Sequence, residues 1–337
     1  MSRRTRLLLF VVGSVLFGYL VARIGIGELW ADARATGWWI VPIVLLYGVV
    51  FACNTRALQL IFRDEPGRPG FAETWAVVVA GSALNFVTPL FNAGGEPYRI
   101  AALTPRLGRQ RAAGAIVLHT MLRALSFLLV WLTALGLGLA LLPHTPATIA
   151  LMAGGIVGLG ALVAVLLAGH RRGLLEGLLD RLHRVPGLHR LARSLEARRP
   201  ALAAADRQIT DFYQRHPGRF AQALGWEYAS RCLFMLELVL IGLSVGTRMG
   251  YPDAFVIGGL EALITNVVFF VPFEVGTRES ATLLLVRQLG YAPAFGLYAA
   301  LVSRVRDLLW IGAGLVLIWA NGRGRAGARQ SEGGTPA

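Results

Sequence analysis

A proline, a glutamate seven residues later and an arginine twenty-seven beyond that occur twice in this chain. They are Pro89, Glu96 and Arg123, then Pro272, Glu279 and Arg306, and one shift of 183 positions superimposes all three. Each triplet lies in apolar surroundings, where a charge or a helix breaker is costly to keep. A carboxylate and a guanidinium at such depth have two uses. They neutralise each other as structural ion pairs, Glu96 with Arg123 and Glu279 with Arg306, or they open to accept an anionic group and re-form when it leaves. Buried ion pairs stabilise little for what their desolvation costs, which favours the second use. At 1.5 Å per residue, Arg123 lies about 18 Å beyond Arg111, and Arg306 about 20 Å beyond Pro293. Both are too deep to snorkel easily to an interface.

Other polar residues gather near the triplets. Arg99 follows Glu96 by one turn, and Arg278 directly precedes Glu279. His119 is four residues before Arg123 on the same helical face and adds positive potential there, although a core histidine is the commoner role. Asn85 and Asn266 precede the two breaks and are expected to cap exposed backbone. Gly94, Gly95 and Gly276 accompany the prolines at those breaks. Arg304 and Asp307, spaced i and i+3, are expected to neutralise each other. Arg56 and Arg231 pair less cleanly, at an offset of 175.

The elements that must position these groups are helices in a membrane. Hydrophobic residues are 55% of the 337 and charged residues 15%, the composition of a multi-span membrane protein rather than a soluble enzyme. The formal charge is +14, and all 33 basic residues are arginine. In a soluble chain that excess would suggest nucleic acid. Here the arginines occupy short loops and one central stretch, as in cytoplasmic loops under the positive-inside rule, so no nucleic-acid partner is expected. Cys53 and Cys232 fall in apolar segments, which argues against a disulfide framework.

Runs of about 20 apolar residues, enough to cross a bilayer, are predicted at 7–22, 38–62, 112–142, 147–169, 219–246 and 293–320. Segments 71–105 and 251–290 are apolar but interrupted, the first at Asn85–Pro89 and Gly94-Gly95, the second at Pro272 and Gly276. Each reads as a helix, a turn at membrane depth and a returning helix, backbone that is tolerated where protein or a wet cavity surrounds it. The expected fold is all-α and polytopic, with about six full transmembrane helices and two re-entrant hairpins in an inverted-topology repeat. Residues 1–320 form one membrane domain: repeat one 38–142, a linking helix 147–169, a cytoplasmic amphipathic basic loop 170–218, and repeat two 219–320. A disordered cytoplasmic tail is expected at 321–337, and the protein is expected in the inner (plasma) membrane with both termini on its cytoplasmic side. Two ordinary kinked spans are the alternative to hairpins, but the first would carry Arg106–Arg111 outside, against the charge rule.

In 170–218, Leu174, Leu175, Leu178, Leu179 and Leu182 share one helical face, with basic and acidic residues mainly off it. Amphipathic helices on an anionic inner leaflet fit this pattern, as does a helical hairpin packed on the protein's own cytoplasmic end. No HExxH, CxxC, Walker A loop or GxSxG is present, and the six histidines are scattered. No metal, cofactor or catalytic role is expected. Headgroup chemistry with Glu96 or Glu279 as base is a further reading that one sequence leaves open.

Asn85-Phe86-Val87-Thr88-Pro89 followed by Gly94-Gly95-Glu96-Pro97-Tyr98-Arg99 resembles the first signature of the lysylphosphatidylglycerol synthase transmembrane, or flippase-like, family. Pro272 to Glu279 is similar to its second signature, with Phe273-Glu274 and Thr277-Arg278 where more small residues would stand. The resemblance covers roughly residues 5–320. It implies an integral inner-membrane protein that moves a lipid or lipid-linked headgroup between leaflets. Fused members carry an aminoacyltransferase domain that makes lysyl-phosphatidylglycerol. This chain ends about where that domain would begin, so that synthesis is not expected. The resulting expectation is a flippase-like transporter of an anionic or zwitterionic lipid, working through a midplane Glu/Arg site. The alternative is an accessory subunit that presents a lipid to a glycosyltransferase or lipid-modifying enzyme. The partners expected are membrane lipids, anionic inner-leaflet lipids at 170–218, and a second copy of the chain or a lipid enzyme.

Overall fold

The computed structural model describes residues 34–87, 94–170, 210–267 and 277–332, without the side chains of 168–170, 277, 279 and 321–332. Among the described residues the regular structure is entirely helical. A 3-10 turn at Gly37–Trp39 leads into α1 (Ile40–Ile61), followed by α2 (Phe71–Val87), α3 (Gly95–Leu107), α4 (Arg109–Leu141) and α5 (Pro146–His170). After the central stretch come α6 (Pro217–Ser244), α7 (Tyr251–Val267), α8 (Thr277–Gln288) and α9 (Pro293–Glu332). The expected first helix at 7–22, Pro89, Pro272, Gly276, the leucine-rich face of 170–218 and the side chain of Glu279 fall outside the described residues.

Among the described residues, three helical stretches are long and apolar enough to cross a membrane: Arg34–Ile61, Arg109–Leu141 and Pro146–Leu167. The expectation of about six full spans is therefore met on composition by three. Helices α6 and α9 have the length, at 28 and 40 residues. Their apolar runs are interrupted by Glu227, Arg231 and Glu237 in one, and by Arg304, Arg306 and Asp307 in the other. Helix α5 stands at the periphery, with Leu151 77% and Val157 72% exposed. Apolar side chains displayed along a whole helix suit a lipid-facing surface. The last helix continues to Glu332, past residue 321, from which the tail is expected. Alanine, arginine and glutamine favour helix enough to carry it past the glycines there.

Helices α2 and α3 run antiparallel. Gly95 N–H donates to Asn85 Oδ1 at 2.6 Å, Arg99 Nη2 donates to Ser82 Oγ at 2.8 Å, and Arg106 meets Glu73 at 3.2 Å where the pair begins and ends. Helices α7 and α8 do the same, with Arg278 3.5 Å from Glu261 and the Tyr291 hydroxyl donating to Asp253 at 2.6 Å. Gly108 and Gly290, at φ +77° and +80°, end the two returning arms, a left-handed conformation that glycine adopts without strain.

Helices α1 and α6 are also antiparallel partners. Asp64 pairs with Arg219 at one end, Asn54 Nδ2 donates to Glu227 at 3.0 Å in the middle, and the Tyr47 and Phe234 rings lie 5.7 Å apart beyond it. Because α1 leads into α2 and α6 leads into α7, the two antiparallel pairs start from opposite ends of the molecule. Helix α9 packs along α2, and α7 packs along α4. Small residues allow both approaches: Gly314 meets Ala83, and a Cβ on Gly259 would stand 2.5 Å from that of Ala134. The described end of the central stretch, 210–215, packs back onto the protein. Phe212 is buried there with Phe220, Ala57, Leu118 and Leu122.

Candidate functional site

The first polar cluster grows from the tip of the α2–α3 pair. Asn85 accepts the Gly95 N–H, satisfying a donor at the start of α3, and its amide donates to Glu96 Oε1 at 3.1 Å. The helices meet so closely here that a Cβ on Gly95 would strike the Gly81 carbonyl, and one on Gly81 would strike the Arg99 side chain. That contact aims Arg99 inward. It is 1% exposed, lies 3.5 Å from Glu96 and donates to Val78 O and Ser82 Oγ. Glu96 thus takes Arg99 and Asn85 as partners, where the sequence suggested Arg123.

Across from this tip, α6 contributes Glu227 and Arg231. Glu227 is fully buried, accepts from His119 Nε2 at 2.8 Å and Asn54 Nδ2 at 3.0 Å, and lies 3.8 Å from Arg231. Arg231 donates to Ser126 Oγ at 2.6 Å and to the Arg123 carbonyl at 3.2 Å, with its guanidinium over the Phe127 ring. Arg123 itself is half-buried on α4 and lies within electrostatic reach of Arg99, Arg231, His119 and Glu227. Among the described residues its guanidinium has no ion pair and no hydrogen bond. Three guanidiniums here face two carboxylates, and one of the three has no partner of its own.

The second cluster is built differently. Arg306 on α9 is 1% exposed, 3.0 Å from Glu237 on α6 and 3.2 Å from Asp307. Its guanidinium stacks 4.2 Å from the Tyr47 ring centre. Asp307 also takes Arg278 at 3.1 Å, and Arg278 reaches Glu261 at 3.5 Å. Ser303 donates to Glu237 at 2.9 Å. Asp307 is thus held by Arg278 and Arg306, whereas the sequence paired it with Arg304. Asn266 donates to the Ala262 carbonyl of its own helix at 2.8 Å.

The shift of 183 explains why the clusters differ. It carries Glu237 onto Asn54 and Asp307 onto Ala124. Both acids that hold Arg306 are therefore neutral residues in the first half. Arg56, weighed as a counterpart of Arg231, is exposed and lies over the Phe71 ring. Sequence reasoning missed Glu227, Glu237, Glu261 and Asn54 as members of these clusters. A signal existed: three charges inside the apolar stretch 219–246 are a functional clue whether or not they repeat. No group of three or more metal-ligating side chains occurs among the described residues.

An all-helical chain with membrane-crossing helices and charged clusters buried between them is a membrane protein. Residues 6–314 match the profile of the lysylphosphatidylglycerol synthase TM region, and the chain belongs to that family. The family links it to lipid metabolism. No curated protein and no solved structure matches the chain.

Proposed function

We propose that this protein is a flippase-like lipid transporter that moves an anionic or zwitterionic lipid between leaflets through the polar site at the α2–α3 tip. The observation that carries this reading is Arg123: a guanidinium part-way along a membrane-crossing helix, half-buried, with no carboxylate ion-paired to it among the described residues. A cation at such depth is costly unless something anionic visits it. Arg99 and Arg231 add to the same potential, and their own contacts hold them in place. A phosphate or carboxylate headgroup would complete the set by charge-assisted hydrogen bonds.

The architecture supports alternate access from two sides. The Pro–Glu–Arg set repeats at 183, α1 and α6 are antiparallel, and the α2–α3 and α7–α8 pairs start from opposite ends. Those features suit an inverted-topology repeat with two re-entrant hairpins, in which one half rocks against the other around a central site.

Purified protein in vesicles should accelerate the crossing of a labelled phosphatidylglycerol. Glu96→Gln and Arg123→Gln should each return the rate to that of empty vesicles. Normal movement in both variants would remove the site from the mechanism. Wild-type protein that binds the lipid but never moves it would favour the accessory-subunit role.

A further inference from the structure

One buried group beside Arg123 has no part in the transport reading so far. His119 lies on α4 one turn before that arginine and is 1% exposed. Its Nε2–H donates to Glu227 Oε1 at 2.8 Å. Glu227 is itself held by Asn54 Nδ2 of α1 at 3.0 Å and by Arg231 at 3.8 Å. A carboxylate only accepts, so a neutral imidazole in this contact keeps its hydrogen on Nε2 and a bare lone pair on Nδ1. Nδ1 is buried and has no hydrogen-bond partner among the described residues. A buried polar atom in that condition calls for an explanation, because histidines packed for structure alone satisfy both nitrogens.

The charges that reach the ring are Glu227 from α6, Arg123 from its own helix and Arg99 from α3. Helix α1 brings the neutral Asn54 amide and the Cys53 thiol beside Glu227. Leu118 and Leu122, near the ring on α4, are buried with Ala57 and Ala223. His119 and Arg123 stand at i and i+4, where side chains are neighbours about 5–6 Å apart. An anion bound at Arg123 and a proton on His119 therefore attract each other in a setting of low polarity. Linkage makes the effect mutual: whichever binds first tightens the other by the same factor.

We infer that His119 is a proton site coupled to the headgroup site at Arg123, so that a proton is taken up with each anionic headgroup and released when the headgroup leaves. The proton passes from hydronium to the Nδ1 lone pair. An N–H bond forms, a water molecule remains, and Nε2–H stays on Glu227. Water that accompanies the headgroup accepts from the new Nδ1–H, and release reverses the step. Proton and anion then travel in the same direction, and a pH gradient becomes a force on lipid movement. The coupling rests on the transport reading above and adds to it the ion that is carried.

The test is titration calorimetry of the purified full chain with dioctanoyl-phosphatidylglycerol, in two buffers of different ionisation enthalpy. Wild type is compared with His119→Gln, whose amide can still donate to Glu227 but cannot titrate. Wild type should take protons from the buffer as lipid binds, and its affinity should fall by up to about tenfold per pH unit on the alkaline side. His119→Gln should bind with the same heat in both buffers. Binding by wild type without proton uptake overturns the proposal, as does uptake that survives in His119→Gln. If the variant binds nothing, the infrared imidazole bands of wild type decide: a change on adding lipid supports the site, and none overturns it. Wild type that binds no lipid removes both the site and the coupling. Vesicle assays separate the two readings. Lipid that crosses without proton uptake keeps transport and sinks the coupling. Proton uptake on binding, in a protein that moves no lipid, keeps the proton site and sinks transport.

Discussion

Arg123 and Arg306 occupy equivalent places in the sequence repeat, yet one guanidinium is half-buried with no ion pair among the described residues and the other is sealed between two carboxylates. The difference lies in what opposes them. Glu237 and Asp307 close on Arg306, while the shifted positions hold Asn54 and Ala124, and Asn54 spends its amide on Glu227 and Ser230. One half-site pattern therefore gives, among the described residues, a positive cluster in the first half and an internally paired one in the second. A repeated motif does not imply a repeated charge state. The partners decide that, and here they come from α1, α6 and α9.

The largest effect that could break this contrast is on stability. Arg306→Ala would strand Glu237 in the interior and leave Asp307 to Arg278 alone, and removing one partner of a buried ion pair costs about 3–5 kcal/mol. Thermal unfolding followed by size-exclusion in detergent should show a steep loss. Gly95→Ala should come next, since the new methyl group meets the Gly81 carbonyl and Asn85. Overpacking of that kind costs about 1–3 kcal/mol and should weaken lipid crossing as well, because Glu96 and Arg99 shift with α3.

Arg123→Gln should do the opposite of Arg306→Ala. It removes a side chain with no described partner, so the stability change should stay within about 1 kcal/mol, while lipid crossing falls to background. A sharper variant is Ala124→Asp, which copies the acid that Arg306 enjoys. It should close Arg123 internally and abolish crossing in a folded protein.

The smallest effect lies outside the membrane helices. The hydrogen bond from Arg219 holds the Asp64 carboxyl below the usual aspartate range. A depressed folded-state value means that its contribution is present above the ordinary aspartate pKa and is lost as pH falls through the lower folded value. Asp64→Asn should therefore slightly flatten the acid limb of thermal stability against pH and leave lipid crossing unchanged.

Much of the first cluster was legible in the chain. Asn85 caps the returning arm as its type and place before the break suggest, and Gly95 sits where two helix backbones nearly touch. Glu96 and Arg99, one turn apart, do meet. That Glu96 does not take Arg123 was not legible, because spacing along the chain fixes depth but not the direction a side chain faces across a bundle. Glu227 and Glu237 were overlooked for a related reason. They lie more than a hundred residues from His119 and Asn54 or some seventy from Arg306, and a search for repeated charges passes over acids that occur once. Helices α6 and α9 have the length of spans but are not marked by composition, because the charges that build the site also interrupt their apolar runs.

The most direct test of the contrast is an experimental structure of the protein in a bilayer containing phosphatidylglycerol, read for headgroup density at the two arginines. The account predicts a phosphate within hydrogen-bond distance of Arg123, near Arg99 and Arg231, and none at Arg306. Arg123 closed on a protein carboxylate, or a phosphate seated at Arg306 instead, would contradict it.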